Sequence, residues 1–238
     1  MTTFFTDAQS YPTTPAAGLS VPIGVYPPQE DSALLIAALR ETGLAPGSRV
    51  ADLCSGSGVI ALAAAAEGAA CVHAFEMSSS AVTCARANAA TTGLDVTVHR
   101  GSWTRAAEFA PFDVVTCNPP YVPFVPGADH AVISPAAGPE AAWNAGSDGR
   151  EVLDPLCDSA PGLLRDGASM LIVQSEFADV EQTVLRLRDR GLRAEVVAEQ
   201  WIPFGPVLTA RAVWLEGAGM LEPGRRQERL AVVQAVND

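Results

Sequence analysis

Apolar runs of about four to eight residues recur along this 238-residue chain, and most stretches between them place apolar residues at every third or fourth position. The runs at 49–53, 70–75 (closed by Glu76), 96–99, 112–117, 169–173, 194–198 and 229–235 read as seven strands. Helical spacing covers 33–39, 59–67, 79–92, 150–164 and 178–190. Acids at Glu30 and Asp31 open the first helix, Ser78 to Ser80 offer caps to the third, and Gly43, Gly68, Gly93 and Gly191 act as stops. Strands alternating with helices specify an α/β fold with a doubly wound, mostly parallel sheet. The last strand follows a strand instead of a helix, so it is expected to pair antiparallel to the sixth.

Three stretches fall outside this alternation. Residues 1–20 are rich in Pro, Thr and Ser without a period and read as a flexible arm, with one domain over 21–238. Residues 121–149 are interrupted by Pro123, Pro126, Pro135 and Pro139, and a loop of that length inside a compact domain is usually functional. Residues 201–224 read as an irregular insertion before the last strand.

Composition narrows the function. With 15 basic against 27 acidic residues the net charge is −12, which disfavours a polyanionic partner such as nucleic acid. Five cysteines without a C-x-x-C pair and three scattered histidines suggest reduced core thiols and no metal site. There is no signal-peptide pattern and no apolar stretch long enough to span a bilayer, so a cytoplasmic protein with no membrane contact is expected.

Two motifs carry chemistry. The first is Asn118-Pro119-Pro120-Tyr121, directly after the fourth strand. Two prolines cannot continue a strand, and the residue before a proline is pushed into an extended conformation. Asn118 is thereby held at the carboxyl end of a central strand, where open α/β sheets bind ligands. A planar nitrogen is a poor nucleophile because its lone pair is delocalised. The Asn118 side-chain oxygen and the Pro119 carbonyl could accept its two N–H groups, while Tyr121 stacks on the plane, so catalysis would be positioning and desolvation. The second motif is the glycine turn Cys54-Ser55-Gly56-Ser57-Gly58 between the first strand and its helix, where Gly56 and Gly58 allow close approach of a ligand. It lacks a third glycine, since Ala61 stands there. Asp52 ends the first strand, and Glu76, followed by Met77, ends the second, placing an acid where ribose hydroxyls are bound in such folds.

The stretch 50–58 together with Asn118 to Tyr121 resembles the HemK family of S-adenosylmethionine-dependent protein-glutamine N5-methyltransferases, and 25–32 (VYPPQEDS) is similar to the entry segment of its HemK2/MTQ2 branch. The resemblance runs from about residue 22 to the end. It implies a seven-stranded class I methyltransferase sheet with one antiparallel strand. It also implies S-adenosylmethionine as cofactor, bound through Asp52, Cys54, Gly56, Gly58, Glu76, Met77 and Asn118. Family members modify the GGQ loop of translation release factors, and eukaryotic ones pair with a small activator subunit. One departure stands out: where the family often has Gly-Asp after the third strand, this chain has Gly101-Ser102-Trp103, so Ser102 and Trp103 would meet the adenine.

For the acceptor, the expectation is a protein such as a release factor, with a small molecule second and an adenine of nucleic acid last. Tyr26, Pro28, Phe124 and Trp143 are the candidate walls of its pocket, shared between 21–28 and 121–149. The second of these segments contains no Lys or Arg.

Overall fold

The computed structural model describes residues 19–124 and 133–238. One seven-stranded sheet runs through it: β1 (Arg49–Leu53), β2 (Cys71–Glu76), β3 (Val96–Arg100), β4 (Phe112–Cys117), β5 (Leu164–Ser175), β6 (Arg193–Pro203) and β7 (Gln227–Val236), in the order β3-β2-β1-β4-β5-β7-β6. β1 pairs parallel with β2 and β4, as do β2 with β3 and β4 with β5. β7 runs antiparallel to both β5 and β6.

Side chains alternate across this sheet because a strand has a period of two. Val50, Val114, Leu171 and Val232 face one way, into a core with α1 (Glu30–Thr42), α2 (Val59–Ala66) and α3 (Ser79–Thr92). Their neighbours Ala51, Val115, Ile172 and Val233 face the other way, onto α4 (Leu153–Leu163) and α5 (Val180–Asp189). The five cysteines are free thiols, of which Cys84, Cys117 and Cys157 are buried. No helix among the described residues is long and apolar enough to cross a membrane.

The segment after β5 departs from expectation. Residues 201–224 are not an irregular insertion: β6 continues through Trp201 to Pro203, and Pro206–Gly217 forms a helix, α6. β6 is a partly solvated edge strand, and Glu199 and Gln200 do not end it. Pro206 sits in the first turn of α6, where a missing N–H costs nothing; as sequence signals, Gly205 and Pro206 look only like breakers. The last strand therefore does follow a helix, and its antiparallel sense has another cause. α6 packs with Val122, Trp143 and Phe177 in a separate cluster by the carboxyl edge of the sheet, not on either main face. The chain re-enters the sheet at the edge where β6 left it, which forces β7 to run backwards.

The arm expected over 1–20 lies mostly outside the described residues. Its end is tied down: the Ser20 amide donates to Asn88 Oδ1 at 3.1 Å, and the Cys84 thiol donates to the Ser20 carbonyl at 3.2 Å. Residues 19–28 thus run as a strap along α3, with Val25 packed on Ala81 and Cys84.

Leu171, fully buried in β5 between β4 and β7, tests the core assignment. Leu171→Ala is expected to lower unfolding free energy by about 2–5 kcal/mol in urea denaturation. A loss under about 1 kcal/mol would mean the sheet centre is not packed as described.

Candidate active site

β4 ends at Cys117, and the two prolines that follow, joined by trans peptide bonds, turn the chain out at the carboxyl edge. Asn118 Nδ2 lies 3.3 Å from Ser32 Oγ in the first turn of α1 and donates to it. With the amide nitrogen so engaged, its oxygen is left to accept from a ligand. The Tyr121 hydroxyl donates to Asp31 Oδ2 at 3.1 Å, and the Tyr26 hydroxyl donates to the same oxygen at 3.0 Å. Asp31 Oδ1 accepts from the Ser32 amide at 2.6 Å. Burial first, and the Asp31 charge second, push both tyrosine hydroxyls well above the usual tyrosine range. One buried carboxylate thus joins the strap, α1 and the tetrapeptide. Gly149 (φ +76°) closes the far side, since a Cβ there would run into the Tyr121 carbonyl oxygen.

At the neighbouring strand ends, Gly56 takes φ +54°, Gly58 φ +82° and Cys54 φ +55°. The Glu76 carboxylate spans this turn and the next loop, accepting from the Gly56 amide at 2.9 Å and from the Ser78 amide at 2.6 Å. Asp52 is wholly buried, accepting from Thr116 Oγ1 at 2.8 Å and from the Ala61 amide at 3.2 Å, and burial raises its pKa to about 7. It braces α2 on β4.

A cavity of about 660 Å³ joins these two regions. Cys54, Gly56, Glu76, Met77, Ser102 and Trp103 line one half; Tyr26, Pro28, Asn118, Pro119, Pro120, Tyr121 and Trp143 line the other. Three expected residues stand outside it. Asp52 lies beneath α2. Gly58 packs on α3, with space for a Cβ only 3.1 Å from Ala85 Cβ. Phe124 is covered by Arg211 of α6, whose guanidinium lies 5.2 Å from its ring centroid and 4.8 Å from that of Trp143 and donates to the Pro123 carbonyl. The middle of the expected acceptor segment, 125–132, lies outside the described residues.

Sequence reasoning missed several cavity residues. Val207 and Leu208 belong to the unrecognised α6, and Glu228, the one acid of β7, precedes the apolar run 229–235 that reads as the last strand. Asp31 and Ser32 were legible as a helix start and as the end of the 25–32 segment, without a role in the site. Gln29, the actual N-cap, makes no side-chain capping bond, and no sequence pattern marks the two residues as partners of Tyr121 and Asn118.

This geometry agrees with relatives found by comparison. Residues 28–133 match the family model for the methyltransferase small domain. A Methanocaldococcus jannaschii protein, inferred to be a protein N5-glutamine methyltransferase, is 29% identical over 188 residues, covering 79% of this chain and 91% of its own. The release factor glutamine methyltransferase of Deinococcus radiodurans is 36% identical over 175 residues, 72% of this chain; the match spans 61% of that enzyme's length. Among solved structures, the Mtq2–Trm112 complex of E. cuniculi, responsible for methylating the eRF1 termination factor, aligns with TM-score 0.59 at 20% identity over 90% of this chain and 99% of its own, a likeness of fold. The chain is a class I methyltransferase similar in sequence to the protein-glutamine enzymes of the HemK family.

The cofactor of that family is S-adenosylmethionine, and the residues present suit it. A carboxylate at the end of β2 offers lone pairs to ribose hydroxyls, and the exposed Met77 and neighbouring Trp103 offer apolar surface to a planar base. Val59 and Ile60, whose amides open α2, line the same half. The volume exceeds what one nucleoside needs, leaving room for an acceptor side chain.

Glu76→Ala is expected to weaken S-adenosylmethionine binding by about 1–3 kcal/mol in calorimetry, because it removes the group that ties the turn amides together. An unchanged dissociation constant would remove Glu76 from the cofactor site. Gly149→Ala should cost acceptor turnover more than cofactor affinity, since the strain falls on Tyr121; equal losses in both would contradict this.

Proposed function

We propose that this protein transfers the methyl group of S-adenosylmethionine to a planar amide nitrogen, the glutamine side chain in the GGQ loop of a translation release factor. The observation that carries this reading is the Asn118 amide, fixed by Ser32 at the end of β4 and sharing one cavity with the Glu76 cradle.

Bound S-adenosylmethionine supplies an electrophilic methyl group on a sulfonium. The rest is positioning. Asn118 Oδ1 and the Pro119 carbonyl accept the two N–H groups of the acceptor and turn its lone pair toward the methyl carbon. The Tyr121 ring, its hydroxyl anchored on Asp31, provides a rigid face for the amide plane. Trp143, Val207 and Leu208 exclude water from the acceptor half. After transfer the nitrogen is cationic and acidic enough to lose one N–H proton to solvent as product leaves, so no strong base is required, and the rate arises from orientation and desolvation.

The nucleic-acid reading is weaker on charge: 121–149 supplies no Lys or Arg, and the chain carries −12 overall. A flipped base would need a basic approach. The fold likeness to a methyltransferase that works as a two-protein complex adds a small activator subunit as a partner to test.

Transfer of labelled methyl should be measured to release factor, to mixed nucleic acid and to a metabolite extract, with and without an activator subunit. Label in release factor alone is the expected result. Asn118→Ala should lower kcat about 100-fold or more while leaving cofactor affinity within about twofold, the signature of an interaction made in the transition state. Lost cofactor affinity instead would make the tetrapeptide a structural turn.

A further inference from the structure

Glu228 is a buried acid that this mechanism does not use. It lies near the start of β7, at the carboxyl edge of the sheet, because α6 reverses the chain there. Its side chain lines the cavity at 6% exposure, and its Oε2 has no hydrogen-bond partner. Two strand spacings along the edge, about 10 Å, separate β7 from the β4 end that carries Asn118.

The charges around Glu228 are mostly acidic. Glu30 and Asp31 of α1 line the same cavity, as do Tyr26 and Tyr121, and the charges of Asp31, of Glu176 in the turn after β5 and of Glu30 disfavour the ionised form of Glu228. Ser175 supplies the one hydrogen bond that favours the ionised form. The nearby cations are committed elsewhere: Arg225 pairs with Glu176 at 2.7 Å and Arg229 with Glu199 at 2.9 Å. Burial above all, with those acids adding to it, raises the Glu228 pKa to about 7. Asp31 differs in receiving three donors, the hydroxyls of Tyr26 and Tyr121 and the Ser32 amide. Glu228 has no such set of donors.

We propose that Glu228 is a positioning residue of the acceptor site: as the neutral acid it leaves Tyr26 and Tyr121 on Asp31, and as the carboxylate it competes for those hydroxyls and loosens the wall against which the acceptor lies. This rests on reading that half of the cavity as the acceptor site. The consequence is a proton-linked acceptor affinity with cofactor binding untouched, because Glu76 and the glycine turn lie on the other side of β4. The sign is fixed by the raised pKa. The folded protein keeps the proton up to about 7 where the unfolded chain releases it near 4.5, so this stabilisation is full below about 4.5 and is lost as pH rises through 7.

The chain has three tyrosines, so ζ-carbon-labelled tyrosine NMR can resolve Tyr26 and Tyr121, each assigned by its Phe variant. Between about pH 5.5 and 9, both resonances should shift with one midpoint near 7 in the wild type, remain flat in Glu228→Gln, and keep a midpoint in Glu228→Asp. With saturating S-adenosylmethionine, the wild-type kcat/KM for release factor should fall with the same midpoint, approaching about tenfold per pH unit, mainly through KM. In Glu228→Gln that limb should vanish, whatever its absolute rate. The proposal is overturned if the wild-type resonances are flat, if Glu228→Gln titrates like the wild type, or if the pH dependence resides in cofactor affinity. Absence of methyl transfer to release factor at every pH would overturn the proposed function instead, leaving the tyrosine titration to decide the role of Glu228. Should Glu228→Gln fail to fold, the wild-type and Glu228→Asp titrations decide it.

Discussion

A single buried carboxylate determines how the proposed acceptor half of the cavity is arranged. Asp31 is 3% exposed, and burying a charge is costly unless donors surround it. Its donors come from three separate places: the strap through Tyr26, the first turn of α1 through the Ser32 amide, and the tetrapeptide through Tyr121. Each is held where it is because the carboxylate needs it. Ser32, the next residue on the same turn, then fixes the Asn118 amide. The orientation proposed for catalysis is thus a consequence of charge satisfaction at the start of a helix. Loss of Asp31 would free the Tyr26 end of the strap and the Tyr121 ring together, a coupling that no one of these contacts would suggest alone.

The two halves of the cavity have different physical origins. The cofactor half comes from the doubly wound sheet itself: strand ends, a tight glycine turn and the start of α2 lie side by side in any sheet of this order. The acceptor half comes from elements laid over the carboxyl edge, namely the strap, residues 133–144 and α6. Placing α6 at that edge also reverses β7 and brings Glu228 to the site. On the proposed reading, specificity resides in the elements added to the common architecture. That is why a shared fold with low identity says little about the acceptor.

The legible part of the sequence was the part governed by local rules. β1, α3 and β4 have the bounds that their apolar runs, caps and glycine stops imply, and the two prolines after β4 mark the site because their chemistry permits few conformations. What escaped depended on tertiary context. Pro206 looks like a breaker until it is seen opening a helix, and polar Glu199 and Gln200 conceal a strand that lies at a sheet edge. Phe124 and Asp52 have the residue types of a site yet serve packing and bracing, while Asp31 and Glu228 gained their place only from long-range contacts. No periodicity reports a hydrogen bond between residues 31 and 121.

The most direct test is to locate the transferred methyl group. Release factor incubated with this protein and deuterium-labelled S-adenosylmethionine, then digested and sequenced by tandem mass spectrometry, should carry the label on the side-chain nitrogen of the GGQ glutamine. The label should be absent from that peptide when Asn118→Ala replaces the wild type over the same interval. Label on any other residue type, or equal labelling by the Asn118 variant, would contradict a site that works by orienting an amide nitrogen.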